Sequence, residues 1–221
     1  MQTQEIAGGG FVELQECLGS DLTVVNAARV SFSKQKEELD AADVRLIKYL
    51  AKHEHFTPFA QPQIRFRIKM PIFVARQWYK HTVGLTRNEI SRRYVSIEPD
   101  FFLPVSLRLA ADNVKQGSSS EIHEESDSLI LSMKECYEKC LQTYHCLLSE
   151  GVCAEQARIV LPQSMFTEFI ETGSLAAYAR IFSLRAAPNA QKEIQSYAVV
   201  VGNLIADKFP ESWHALTSGH K

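Results

Sequence analysis

Residues 63–94 read QIRFRIKMPIFVARQWYKHTVGLTRNEISRRY, and the fold class turns on how this run divides. Its first seven residues alternate, with Ile64, Phe66 and Ile68 set against Arg65, Arg67 and Lys69. Strand side chains project to opposite faces with period two, so this spacing predicts a half-buried strand with a basic outer face. Pro71 suits the first turn of a helix, where its missing N–H is no loss. From Pro71 to about His81 the period becomes three and four. Ile72, Ala75 and Tyr79 share one side, while Arg76 with Lys80 and Gln77 with His81 are i,i+4 pairs on the other. Gly84 breaks the helix, Thr86 to Ser91 is expected as a loop, and Arg92 to Ser96 as extended chain.

The same run carries the charge. Pro62 to Tyr94 holds eight Lys or Arg and one acid, Glu89, a local +7 in a chain of net charge −2. Like charges this dense repel unless an anion offsets them, and Arg grips phosphate with two hydrogen bonds. A nucleic-acid protein is more often basic throughout, so the pattern points to a small anion.

Upstream, Phe11 to Cys17 alternates as a strand, Asp21 to Phe32 reads as a short helix, and Ala41 to His53 as an amphipathic helix. The start, MQTQEIAGGGF, reads as a polar lead-in with no signal-peptide character. His53, His55 and Thr57 lie on a loop bounded by Pro58 and Pro62. Downstream, Gly117 to Ser120 is a turn and Glu121 to Glu150 a long helix, suited to packing or an interface. Ala154 to Val160 is a short helix, Ser164 to Thr172 a strand, and Leu175 to Leu184 and Ala190 to Phe209 are helices, with a last short one from Pro210. The expectation is one α+β (α/β) domain over residues 1–221, with a small mixed sheet, packed helices and a long central helix.

Composition narrows the class. Apolar residues make up 45% of the 221, enough for a full core, and no apolar run reaches the ~18 residues of a membrane span. Five cysteines without a CxxC pair speak against a disulfide framework or a Cys-rich zinc site, and imply a reducing, cytoplasmic setting. GxGxxG, GxxxxGK[ST], HExxH and GxSxG are all absent. No metal, membrane or nucleic-acid partner is expected. A second polar cluster, Arg158, Arg180 and Arg185 with Gln191 and Glu193, lies late in the chain. An Arg leaving a helix, as Arg185 does, commonly caps the last carbonyls. A non-catalytic nucleotide- or RNA-binding module could use the same basic segment, but the acidic remainder disfavours polynucleotide.

HFTPF (55–59), ARQWYKH (75–81), NEISRRY (88–94), ARIVLP (157–162) and LRAAPNAQKEIQSYA (184–198) occur in the order and spacing of flavin-dependent thymidylate synthases, which the chain resembles over most of its length. GSDLTVVNAARVSF (19–32) is similar as well. The second half of the family signature R-H-R-x-x-S-x-N-E-x-S-x-R is matched by Asn88, Glu89, Ser91 and Arg93. Its first half departs: Lys80-His81-Thr82 stands for Arg-His-Arg, with one residue inserted before Asn88. Ser174-Leu175-Ala176 replaces a late Asn-x-Arg. A degenerate structural member is a third reading, opposed by the joint retention of Glu89, Ser91, Arg93, Arg158 and Arg185.

The resemblance implies the thymidylate synthase-complementing-protein type fold, assembled as a homotetramer with shared active sites. It implies conversion of dUMP to dTMP with 5,10-methylenetetrahydrofolate as one-carbon donor and FAD, reduced by NADPH, as source of hydride. By matched position, Arg76, Gln77, Glu89, Ser91, Arg93, Arg158 and Arg185 would contact dUMP, with Arg185 the catalytic residue at the pyrimidine. Thr57, Lys80, His81, Thr82, Glu89, Ser174 and Arg180 would contact FAD. Ser91 has no adjacent His-Asp partner, so a hydrogen-bonding role is expected rather than a nucleophilic one.

Overall fold

In a computed structural model, residues 2–95, 97–111 and 118–218 are described. The elements in chain order are β1 Gln2–Ile6, β2 Gly10–Leu18, α1 Asp21–Arg29, α2 Ala41–Lys52, β3 Gln63–Pro71, α3 Ile72–Trp78, β4 Leu85–Glu89, β5 Arg108–Ala110, β6 Ser118–Ile122, α4 Ser126–Ser149, α5 Ala154–Ala157, β7 Phe166–Ser174, α6 Leu175–Arg185, α7 Lys192–Ala206 and α8 Pro210–Thr217. Short 3-10 turns cover Val30–Phe32, Thr57–Ala60 and Arg158–Val160. The α+β architecture matches the sequence expectation.

β3 is the centre of a five-stranded sheet ordered β1-β2-β3-β7-β4. Its alternation falls as predicted: Ile64, Phe66 and Ile68 are fully buried, while Arg65, Arg67 and Lys69 face outward. Helices α1, α2, α3, α6, α7 and α8 close over the apolar face and share one core with it, including Ile47, Trp78, Ile181, Leu204 and Trp213. Burial of such side chains contributes roughly 1.5–3 kcal/mol each and is the main driving force here. Gly10 permits one close approach: a Cβ there would meet the Tyr197 hydroxyl, which donates to the Lys69 carbonyl at 3.0 Å.

Several expectations are corrected. The sheet is antiparallel throughout, where a mixed one was expected, because each strand runs back along its neighbour. The polar lead-in is an edge strand, β1, held by main-chain pairing to β2 that needs no apolar side chains. Thr86 to Ser91 is mostly strand: β4 pairs with the free edge of β7, and its solvent-facing residues gave a loop-like composition. Arg92 to Tyr94 forms a turn rather than extended chain, and Ser96 lies outside the described residues.

Ser118 to Ser120, expected in a turn, belong to β6, which pairs with β5; Gly117 lies outside the described residues. The long helix therefore starts only at Ser126. It is not central, since only Ser126 and Tyr144 of its 24 residues are buried. It packs on α5 and on Arg158–Val160 and leaves Leu129 and Leu131 exposed. Among the described residues no helix is long and apolar enough to cross a membrane.

Candidate active site

Three-dimensional pairing changes the meaning of the local charge excess. On the outer face of β3, Arg65 meets Glu16 at 2.7 Å, Arg67 meets Glu168 at 2.6 Å, and Lys69 meets Asp100 at 2.5 Å. Arg87 forms an ion pair with the fully buried Glu171. Buried Arg92 donates to the Ile97 carbonyl and so shapes its own loop. Acids distant in sequence thus neutralise much of the basic window. Among the described residues Arg76 and Lys80, both exposed on or just after α3, have no acidic partner.

The polar groups gather in two places. The first is the C-terminal end of α3. Here Arg185, the last residue of α6, donates from Nε to His81 Nε2 at 3.0 Å and from Nη2 to the Gln77 carbonyl at 3.4 Å. It therefore reaches a neighbouring helix, and the capping of its own helix is not what occupies it. The Gln77 side-chain amide is bonded to Gln191, at the start of α7. Burial, and then the nearby Arg185, Arg87 and Arg180 guanidiniums, lower the His81 pKa to about 4. His81 is neutral near pH 7, and because Nε2 accepts from Arg185 its proton resides on Nδ1.

Arg180 donates to the Val83 carbonyl at 2.6 Å, tethering the turn that leads to Gly84. Gly84 has φ +76°, and a Cβ there would press on Ser174 Oγ at 3.2 Å and on Ala177. Ser174 is buried and N-caps α6, accepting from the Ala177 N–H at 3.2 Å. Thr82 and Lys80 stand exposed at this end.

The second place is a cleft of about 460 Å³ between β4, α5 and the start of β7. Glu89, Ser91 and Arg158 line it together with Glu155 and Thr167. Thr167 donates to Glu89, and Arg93 is paired with Glu155 at 3.1 Å. Arg158 donates from Nε to the Glu155 carbonyl at 3.3 Å. Between them the Arg87 guanidinium lies 5.2 Å from the ring centre of Tyr79, and burial, followed by the Glu89 carboxylate, pushes the Tyr79 phenol pKa up.

Most residues picked out in the sequence fall into these two groups. Gln77, His81 and Arg185 lie at the first, with Arg180 of α6 bonded to the adjoining turn. Glu89, Ser91, Arg93 and Arg158 belong to the second. Thr57 stands apart, exposed on its own 3-10 turn. Sequence reasoning assigned nothing to Glu155, Thr167 or Glu171. The last had a signal: Thr167, Phe169 and Glu171 share the inward side of β7, so an acid occupies a core position.

Comparison with known proteins adds a separate line of evidence. Residues 13–211 match the model of the family described as "Thymidylate synthase complementing protein". A protein from Thermus thermophilus named flavin-dependent thymidylate synthase is 36% identical over 206 residues, covering 93% of this chain and 75% of the relative. One of the same name from Thermotoga neapolitana is also 36% identical, over 93% and 90%. A solved UMP/dUMP methylase from Streptomyces cacaoi, bound with 5-Br dUMP, superposes with a TM-score of 0.87 at 28% identity, covering 96% of this chain and 97% of that one.

Proposed function

The chain belongs to the thymidylate synthase complementing protein family, and on that premise we propose that it is a flavin-dependent thymidylate synthase converting dUMP to dTMP. The observation that carries the reading is the meeting of Arg185, His81 and Gln77 at the end of α3, alongside a separate cleft lined by Glu89, Ser91 and Arg158. One region offers cations and amides to a base, and the other offers guanidinium and hydroxyl groups to a sugar phosphate.

Arg185 is the catalytic residue in this reading. A guanidinium beside the pyrimidine favours its ionised form, which makes the ring carbon more nucleophilic. Gln77 and Glu89 hold the base and sugar, Ser91, Arg93 and Arg158 the phosphate, and Arg76 lies beside the nucleotide. Ser91 donates a hydrogen bond and is not a nucleophile, having no base to activate it.

The residues at the other side fit a flavin nucleotide. Lys80 is a cation without an acidic partner among the described residues, and it sits beside the exposed Thr82 and neutral His81, a donor set suited to a diphosphate and a heteroaromatic ring. Ser174 and Arg180 border this end, while Thr57, on its own 3-10 turn, and Glu89, in the second cleft, would reach the cofactor from another subunit of a shared site. When bound, FAD reduced by NADPH supplies the hydride, and 5,10-methylenetetrahydrofolate supplies the one-carbon unit. The chain's own contribution is position, charge and exclusion of water.

Residues 1–221 act as one domain in this account, in the cytoplasm, as a homotetramer whose active sites are shared between subunits. The exposed apolar positions of α4 support assembly. The purified protein is expected to be yellow, and to regain its visible flavin band when stripped and reloaded with FAD. A colourless protein that cannot be reconstituted with FAD contradicts the proposal.

A further inference from the structure

Arg87 and Glu171 face each other directly in the β4–β7 register, and their ion pair is buried, with side-chain exposures of 15% and 0%. Burying two charges costs desolvation that their attraction often fails to exceed, so such a pair is weak evidence of stabilisation by itself. What distinguishes this one is where its remaining hydrogen bonds go. Glu171 Oε1 accepts from the Trp78 indole N–H at 3.1 Å, fixing the last residue of α3. Arg87 spends one arm on Glu171 and another on the His81 carbonyl, and its plane lies against Tyr79. Trp78, Tyr79 and His81 are thereby held in one arrangement. His81 in turn accepts from Arg185.

We propose that Arg87 and Glu171 are positioning residues that hold His81, and through it Arg185, where the nucleotide site needs them. The proposal rests on the reading of Arg185 as the pyrimidine-side residue. The guanidinium suits this place because its rigid planar fork fixes the bonds to the carboxylate and the carbonyl at a set angle while it lies over Tyr79, whereas an ammonium is a point donor that fixes no such angle.

Arg87→Lys separates positioning from folding, since it keeps the charge opposite Glu171 and removes the rigid fork that sets the bond to the His81 carbonyl. The flavin-loaded variant is expected to melt within a few degrees of the wild type. Its kcat should fall about tenfold or more, with KM for dUMP within about threefold, as a displaced guanidinium costs chemistry before binding. In the flavin-free variant, imidazole NMR should show His81 titrating well above its wild-type position, although the local charge is unchanged. Retained kcat together with an unmoved His81 titration overturns the proposal. If Arg87→Lys does not fold, the neutral pair Arg87→Met/Glu171→Gln replaces it, leaving the Trp78 acceptor in place. In that variant the same fall in kcat at unchanged KM supports the proposal, and wild-type kcat overturns it. Wild-type protein that makes no dTMP refutes the functional reading instead, and a moved His81 titration still supports the positioning role.

Discussion

Arg185 and His81 form the contact on which the proposed chemistry is built. Arg185→Ala removes the donor to His81 Nε2 and one of the charges that depress that imidazole. The variant is expected to stay folded, to lose dTMP formation, and to show a His81 pKa moved up from about 4 toward the usual ~6.5. In the wild type that depression has a stability consequence. Between about 6.5 and about 4 the unfolded chain binds a proton that the folded imidazole refuses, so this group destabilises the fold as pH falls through that window. Glu155 is the second informative residue. It pairs with Arg93 at 3.1 Å and so occupies the guanidinium proposed to hold the phosphate. Glu155→Gln should therefore tighten binding of dUMP, measured calorimetrically, without tightening that of deoxyuridine, which lacks the phosphate. Equal effects on both would detach Arg93 from phosphate recognition. Arg93 and Arg185 were picked out through matched motifs, and the structure sets them against Glu155 and His81. Glu155, and Glu171 opposite Arg87, were not legible, because neither pairing is local in sequence.

At the level of elements, β3 and α3 were readable because one surface of each is apolar at its own period. The strand placed Ile64, Phe66 and Ile68 inward as expected. The helix placed Val74, Ala75 and Trp78 inward, so its buried side is rotated from the predicted Ile72, Ala75 and Tyr79, of which only Ala75 is fully enclosed. β1 and β4 were not readable, since edge strands gain their order from main-chain pairing and keep polar side chains. The start of α8 shows a related non-local device. Asp21, on α1 and 3% exposed, accepts from the N–H groups of Glu211 at 3.0 Å and Ser212 at 2.9 Å, where the helix dipole also favours an anion. Asp21→Ala leaves those donors unpaired in a dry place and should cost about 1–3 kcal/mol in urea unfolding. A midpoint equal to that of the wild type would remove this link from the account.

For the whole molecule, the α+β class followed from the succession of periods, while the antiparallel order of the sheet did not. The charge excess of residues 62–94 illustrates the limit of local reading. It suggested an anion site, and much of it proves to be paired with acids from β2, β7, α5 and residue 100. The candidate site draws on the remaining cations and on residues over 100 positions apart, such as His81 and Arg185. The proposed sharing of active sites makes a further prediction at this scale. Arg185→Ala and Ser91→Ala chains, each inactive alone, should regain activity when mixed and reassembled, because some sites then receive both intact groups. Persistent inactivity of the mixture would place both groups in one subunit's site.

Conversion of dUMP to dTMP by this chain is the central proposal, and release of tritium from [5-³H]dUMP reads that conversion directly. With FAD-loaded protein, NADPH and 5,10-methylenetetrahydrofolate, tritium should enter water in step with dTMP formation, and omission of NADPH or the folate should abolish dTMP. A flavin-loaded, folded protein that binds dUMP yet produces no dTMP in the complete mixture would contradict the account.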